Sequence, residues 1–154
     1  METKNYIGEI WKPVIGYYGL YEVSNFGRVK SINYNKTGKE RLMKQVVNKQ
    51  GYYQVTLHKN GSMAAKKVHR LVAEAFIPNP NNLPCVNHKN EDKTDNRVEN
   101  LEWCSIEYNN RYGMRGKKIS EAISGENHYL YGKHHTQETV DKIRESVIKT
   151  KRNV

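Results

Sequence analysis

The residues best suited to chemistry lie close together in the chain: Asn87-His88, then Asn100, then Asn109. An imidazole titrates near neutral pH, so histidine is a natural side chain to take a proton from water. A hard divalent cation takes oxygen ligands, which asparagine amides supply through their carbonyls. A proton acceptor beside a cation suits hydrolysis of a phosphodiester, where water must be activated and the leaving oxygen stabilised. Taken singly, each residue has a plainer use: asparagine favours turns, and a lone histidine is commonly a surface group. The joint spacing is what argues for a site.

Such side chains need elements to hold them. Cys85-Val86-Asn87-His88 reads as a short strand and Leu101-Glu102-Trp103-Cys104 as its return, with a polar loop between. Ser105 is a good N-cap for a helix that runs through Asn109 and Asn110 and ends near Gly113. This ββα unit is expected to hold three polar side chains on one face. Before it, Val68, Leu71, Val72, Ala75 and Phe76 form one apolar helix face, which Pro78 and Pro80 stop.

The first third alternates with a period of two. It reads as strands at Trp11-Lys12-Pro13-Val14, Leu20-Tyr21-Glu22-Val23, Arg28-Val29-Lys30-Ser31-Ile32 and Tyr52 to His58. Lys59-Asn60-Gly61-Ser62 is a hairpin turn by composition. Residues 113–132 are basic and dotted with glycine, as in a linker. Thr136 can then cap a helix to about Lys151, with Val140, Ile143, Val147 and Ile148 on one side. The fold class is α+β: a β-rich module at 8–60, a ββα core at 61–113, and a linker with a helix at 114–154.

A chain of 154 residues with a net charge of +10 is expected to be attracted to polyanions. The charge is uneven. Residues 1–84 carry 13 Lys/Arg and 5 Asp/Glu, residues 85–104 carry 3 and 5, and residues 105–154 carry 10 and 6. Two basic arms thus flank a mildly acidic island, a place where something cationic can sit. Eleven tyrosines against two phenylalanines and two tryptophans favour half-wet surfaces over a deep core. Nothing reads as a membrane span or signal peptide, so a soluble, cytoplasmic protein is expected. Cys85 and Cys104 flank the island and would face each other across the hairpin as reduced, core-like thiols; a zinc site using both is the lesser reading.

The segments His69-Arg70-Leu71-Val72-Ala73 with Phe76, Val86-Asn87-His88, Asn96 to Trp103, and Asn109 together resemble the HNH nucleases, specifically the homing endonucleases of phage and intron-borne genes. The resemblance implies a ββα-metal core in which His88 is the general base and Asn100 braces the hairpin loop; these two form the catalytic pair. It places one Mg²⁺ or Mn²⁺ on Asn109 and Asn87. Many members of the family have Asp at the latter position, and two neutral ligands attract a divalent ion less than a carboxylate and one neutral group. Glu91, Asp92 and Asp95 read as a solvated loop, with an alternative metal ligand among them as the lesser reading.

Residues 10–29 resemble the N-terminal module that precedes HNH domains in homing enzymes, and residues 125–136 with the following helix resemble a second nuclease-associated motif. Both imply double-stranded DNA as the partner. Arg28, Lys30, Arg41 and Lys44 would project from the strands onto phosphates, joined by His69, Arg70, Arg111, Lys133, Lys142 and Arg144. His69 is as readily a packing residue. A monomer with one site would nick one strand; a dimer would cut both. The competing reading is a DNA-binding regulator on the same scaffold, catalytically weak or inactive because of the neutral Asn87–Asn109 pair. An RNA-binding structural protein would fit the charge and the tyrosines but leaves the island unexplained.

Overall fold

In the computed structural model the described residues are 6–113, 120–122, 124–127 and 131–152. They fall into two units, one through Arg111 and the other from Tyr112. The first unit contains three small antiparallel sheets and one central helix. β1 (Trp11–Pro13), β2 (Tyr21–Ser24), β3 (Val29–Ser31) and β4 (Arg41–Leu42) form the first sheet in that order. Pro13 cannot donate a ladder hydrogen bond, and it sits on the edge strand where this costs little.

The second sheet is β5 (Val46–Val47), β6 (Tyr53–Lys59) and β7 (Ser62–Lys67). On β6, Val55 and Leu57 are buried while Thr56 and His58 face out, the alternation expected of a half-buried strand. The Asn60-Gly61 turn has φ of 51° and 76°, so both residues are left-handed, as the tightest hairpins require. β7 extends that hairpin through six residue pairs and is mostly exposed. The expected boundary between 60 and 61 thus falls inside a two-residue turn.

α1 (Val68–Phe76) follows β7 directly and buries Val68, Leu71, Val72 and Ala73. Val68, Leu71 and Val72 join Val14, Tyr21, Val23, Val29, Val55, Leu57 and Leu101 in one core. The core therefore draws on both upper sheets, the helix and the site hairpin together. Tyr21 ties the sheets further: its hydroxyl accepts from the His58 backbone N–H at 3.1 Å.

The third sheet is the pair β8 (Cys85–His88) and β9 (Leu101–Cys104), followed by α2 (Ile106–Arg111). Ser105 caps α2, its Oγ accepting from the Tyr108 N–H at 3.1 Å. Trp103 donates its indole N–H to the Ile77 carbonyl at 3.0 Å, pinning β9 to the end of α1.

In the second unit, α3 (Gln137–Arg152) begins after Thr136, whose Oγ1 accepts from the Thr139 N–H at 3.4 Å. Ile143, Val147 and Ile148 on it are about half exposed. Much of the expected linker, with His128 to Leu130 of the second nuclease-associated motif, lies outside the described residues. No helix among the described residues is long and apolar enough to cross a membrane.

Candidate active site

Register decides which side chains share a face. Cys85 pairs with Cys104, Asn87 with Glu102, and His88 with Leu101. Side chains alternate along a strand, so Asn87, Glu102 and the two cysteines lie on one face. His88 and Leu101 lie on the other. The expectation of three polar groups on a single face is corrected: the pleat turns adjacent Asn87 and His88 to opposite sides, and the site is built around the strand end.

On its side, His88 is 5% exposed. Its Nε2 lies 3.1 Å from Asn96 Oδ1. Asn96 uses its own Nδ2 to donate to the Thr94 carbonyl at 3.3 Å, so it presents an acceptor to the ring. His88 Nε2 therefore carries the hydrogen, and the lone pair is on Nδ1. Burial pushes the imidazole below its usual range, opposed by the Asn96 hydrogen bond and by the charges of Asp92 and Asp95. It is thus neutral, with a proton-accepting nitrogen, at neutral pH.

Asn96 is itself held from the N-terminal sheet. Gly27 sits at φ +78°, and a Cβ there would come within 2.7 Å of Asn96 Cβ. The Val98 N–H donates to the Asn25 carbonyl at 2.8 Å, and Gln45 Nε2 donates to the Gly27 carbonyl at 2.7 Å. The Ser24 to Gly27 turn thereby presses on the loop that orients His88.

Asn100 is buried at the end of a short 3₁₀ turn, Val98–Asn100. Its Oδ1 accepts from the Asn90 N–H at 3.0 Å, and its Nδ2 donates to the Asp95 carbonyl at 2.8 Å and to Asn90 Oδ1 at 2.9 Å. One side chain thus closes the loop between β8 and β9. Asp95 is held further by Arg97, whose fork lowers its carboxyl to about 2. Asp92 accepts from both the N–H and the hydroxyl of Thr94. Asp92 and Asp95 are thus engaged in turn geometry.

His69 is not a surface cation. It is 4% exposed, its ring 4.8 Å from Tyr52 and 5.1 Å from His88. Burial, then the nearby His88, Lys67 and Arg70 charges, lower it to about 3. A neutral, enclosed imidazole offers no charge to a phosphate, so its expected place among the DNA contacts is corrected to packing behind His88. Lys67 and Lys93 lie over the same Tyr52 ring at 4.9 Å, cations near the histidine pair that the sequence reading did not single out.

On the opposite face, Asn87 donates Nδ2 to Glu102 Oε1 at 2.8 Å, which leaves its Oδ1 as the amide's other pole. Asn109 on α2 meets this face at Cys104, whose thiol donates to Asn109 Oδ1 at 3.9 Å. Burial raises the Cys104 thiol, helped by Cys85 and Glu102. Both cysteines are free. Among the described residues no three His, Cys, Asp or Glu side chains gather into a metal cluster. Beside the two thiols, this face offers the amide oxygens of Asn87 and Asn109 and the Glu102 carboxylate, hard donors of the kind that suit Mg²⁺ or Mn²⁺.

The remaining expected contacts divide sharply. Arg28 and Lys30 do not project. Arg28 forks onto Glu9, whose side chain is fully buried, and stacks on Tyr6 at 4.5 Å. Lys30 is held by Glu22 at 3.1 Å and Glu40 at 3.0 Å and lies over Trp11. Their charge is spent bracing the sheet. Arg41 and Lys44 are exposed and line one groove with Tyr34, Thr56 and His58. Arg70 is exposed and donates to the Pro84 carbonyl at 2.6 Å. Arg111 makes a solvent-exposed pair with Glu107. In the second unit Lys133 is exposed, and Lys142 and Arg144 make exposed pairs with Glu138 and Asp141.

Residues 66–111 match the family described as HNH endonuclease, residues 9–58 the NUMOD4 motif and residues 117–144 the NUMOD3 motif. Over 117 residues, 73% of this chain, it is 44% identical to the uncharacterized HNH endonuclease L247 of Acanthamoeba polyphaga mimivirus, covering 28% of that protein. Over 99 residues, 64% of this chain, it is 38% identical to the DNA endonuclease I-HmuI of Bacillus phage SP01, covering 54% of it. A solved structure of that HNH homing endonuclease, described for DNA binding and cleavage, superposes with a TM-score of 0.57 and 34% identity. The superposition covers 73% of this chain and 66% of that one. The chain spans from about a quarter to about half the length of these curated relatives.

Proposed function

The chain belongs to the HNH endonuclease family, and we propose that it is a divalent-metal-dependent DNA endonuclease of the homing type. The observation that carries this reading is the His88–Asn96 hydrogen bond, which leaves a neutral imidazole with its lone pair on Nδ1. Water attacks phosphorus as His88 Nδ1 takes its proton; the bond from phosphorus to the 3′-oxygen breaks and that oxygen takes a proton from solvent, leaving 5′-phosphate and 3′-hydroxyl ends. One Mg²⁺ or Mn²⁺, held by the amide oxygens of Asn87 and Asn109, would supply charge stabilisation for the departing 3′-oxygen. Asn100 keeps the β8–β9 loop closed so that Asn96 and His88 stay aligned.

Residues 8–60 and 114–154 are read as DNA-binding segments flanking the nuclease core at 61–113. Phosphate contacts fall to Arg41, Lys44, Arg70, Arg111, Lys133, Lys142 and Arg144, whose charges are exposed and weakly paired or unpaired among the described residues. The partner is double-stranded DNA, in the cytoplasm of a bacterial or phage-infected cell. Acting as a monomer, one site nicks one strand. The test is a supercoiled plasmid carrying the host locus, incubated with protein and Mn²⁺. Nicked circles are expected from the wild type and none from His88→Ala; intact plasmid in both would end this reading.

A further inference from the structure

The Asn87–Asn109 pair leaves the proposed cation site without a formal charge. Glu102 stands where that charge is missing. It is the cross-strand partner of Asn87, on the same face of the hairpin, and its Oε1 is 2.8 Å from Asn87 Nδ2. That bond fixes the Asn87 amide with its nitrogen toward Glu102. It uses one lone pair of one carboxylate oxygen; Oε2 has no hydrogen bond or ion pair among the described residues. Cys104, two residues on along β9 and on the same face, donates its thiol to Asn109 Oδ1 at 3.9 Å. Asn87 and Glu102 are thus joined across β8 and β9, and Cys104 and Asn109 are joined between β9 and α2, with Glu102 and Cys104 on one face of β9.

Resting on the metal-dependent reading above, we infer that Glu102 is a ligand of the divalent cation and supplies the site's carboxylate from the opposite strand. Paired strands hold directly opposite side chains about 5 Å apart. A carboxylate on β9 can therefore serve a position that an acid on β8 would serve directly. A Glu–Asn–Asn oxygen set carries one negative charge, in keeping with a hard cation. A purely structural Glu102, orienting Asn87 and nothing more, would not need its charge, because a glutamine carbonyl accepts the same hydrogen bond.

That contrast defines the test. Mn²⁺ binding to the DNA-free full chain is followed by the electron paramagnetic resonance signal of free Mn²⁺, for wild type, Glu102→Gln, His88→Ala and the double variant Asn87→Asp/Glu102→Gln. Thermal melts without metal check that each variant is folded. Glu102→Gln is expected to weaken Mn²⁺ about tenfold or more while melting like the wild type, and the double variant to recover most of the loss. His88→Ala is expected to keep wild-type affinity, so that loss of the base and loss of the ligand read differently. Equal Mn²⁺ affinity in wild type and Glu102→Gln overturns the role of Glu102 and leaves the nuclease reading standing. No Mn²⁺ binding by the wild type overturns both.

Discussion

Gly27 and Asn96 touch across 69 residues of sequence: a Cβ on Gly27 would lie 2.7 Å from Asn96 Cβ and 3.0 Å from the Asn96 carbonyl oxygen. Gly27 also has φ +78°, where side chains are strained. Gly27→Ala is therefore expected to cost about 2 kcal/mol from strain and overlap together. It should lower nicking more than it lowers DNA binding, because the displaced residue orients His88. Calorimetry with parallel nicking and gel-shift assays checks this; unchanged melting would show that the turn yields freely.

Asn96 is expected to set the tautomer of His88. Asn96→Ala leaves the ring N–H without its acceptor, at about 1–3 kcal/mol for an unsatisfied buried group. Nitrogen chemical shifts of His88 should then lose the fixed Nε2–H pattern, and nicking should fall on the order of tenfold or more. Asn96→Asp adds a charge beside the ring and should raise the His88 pKa. A shift downward would contradict the hydrogen-bond assignment.

His69 makes the fold acid-sensitive. Its imidazole binds a proton near 6.5 when unfolded and only at about 3 when folded. The unfolded state therefore binds more protons throughout that window. The stability His69 contributes is complete above pH 6.5 and is lost as pH falls toward 3, on the order of 5 kcal/mol. Denaturant midpoints against pH should fall across this window in the wild type and more gently in His69→Phe. Parallel curves would refute it.

Arg28 and Arg41 should separate support from binding. Arg28→Ala strands the buried Glu9 carboxylate, and a loss of about 3 kcal/mol in stability is expected. Arg41→Ala should leave the melting temperature unchanged and reduce the slope of log affinity against log salt by about 0.9, one phosphate contact. Salt titrations of binding, set beside melts, distinguish the two. An unchanged slope for Arg41→Ala would remove that residue from the interface.

The sequence was legible wherever local periodicity and long-range packing agreed. Val68 to Phe76 carries a helical face that the core accepts, and Asn60-Gly61 can scarcely form anything but a tight turn. β7 was less legible because Ser62-Met63-Ala64-Ala65-Lys66-Lys67 has neither alternation nor β-branching; its pairing comes from the register that the turn imposes on β6. Asn100, with its loop-closing bonds, was readable through the family resemblance. Asn96 was not, since choosing it among the neighbouring asparagines requires knowing where the Gly27 turn lands. Arg28, Lys30 and Glu102 share this limit. Their partners Glu9, Glu22, Glu40 and Asn87 are set by how strands lie side by side, which a count of charges cannot show.

The hairpin whose turn falls at residues 60 and 61 also governs how this protein can be taken apart. A cut there would strand Val55 and Leu57 on one fragment and Val68, Leu71 and Val72 on the other, splitting a single core. The segment matched as NUMOD4 and the segment matched as HNH endonuclease are thus separable as stretches of text but interdependent as folded matter. Chimeras that exchange target preference should inherit the chain through Arg111 whole and recombine beyond it. Shuffling at residue 60 would ask selection to rebuild an interior as well as a specificity.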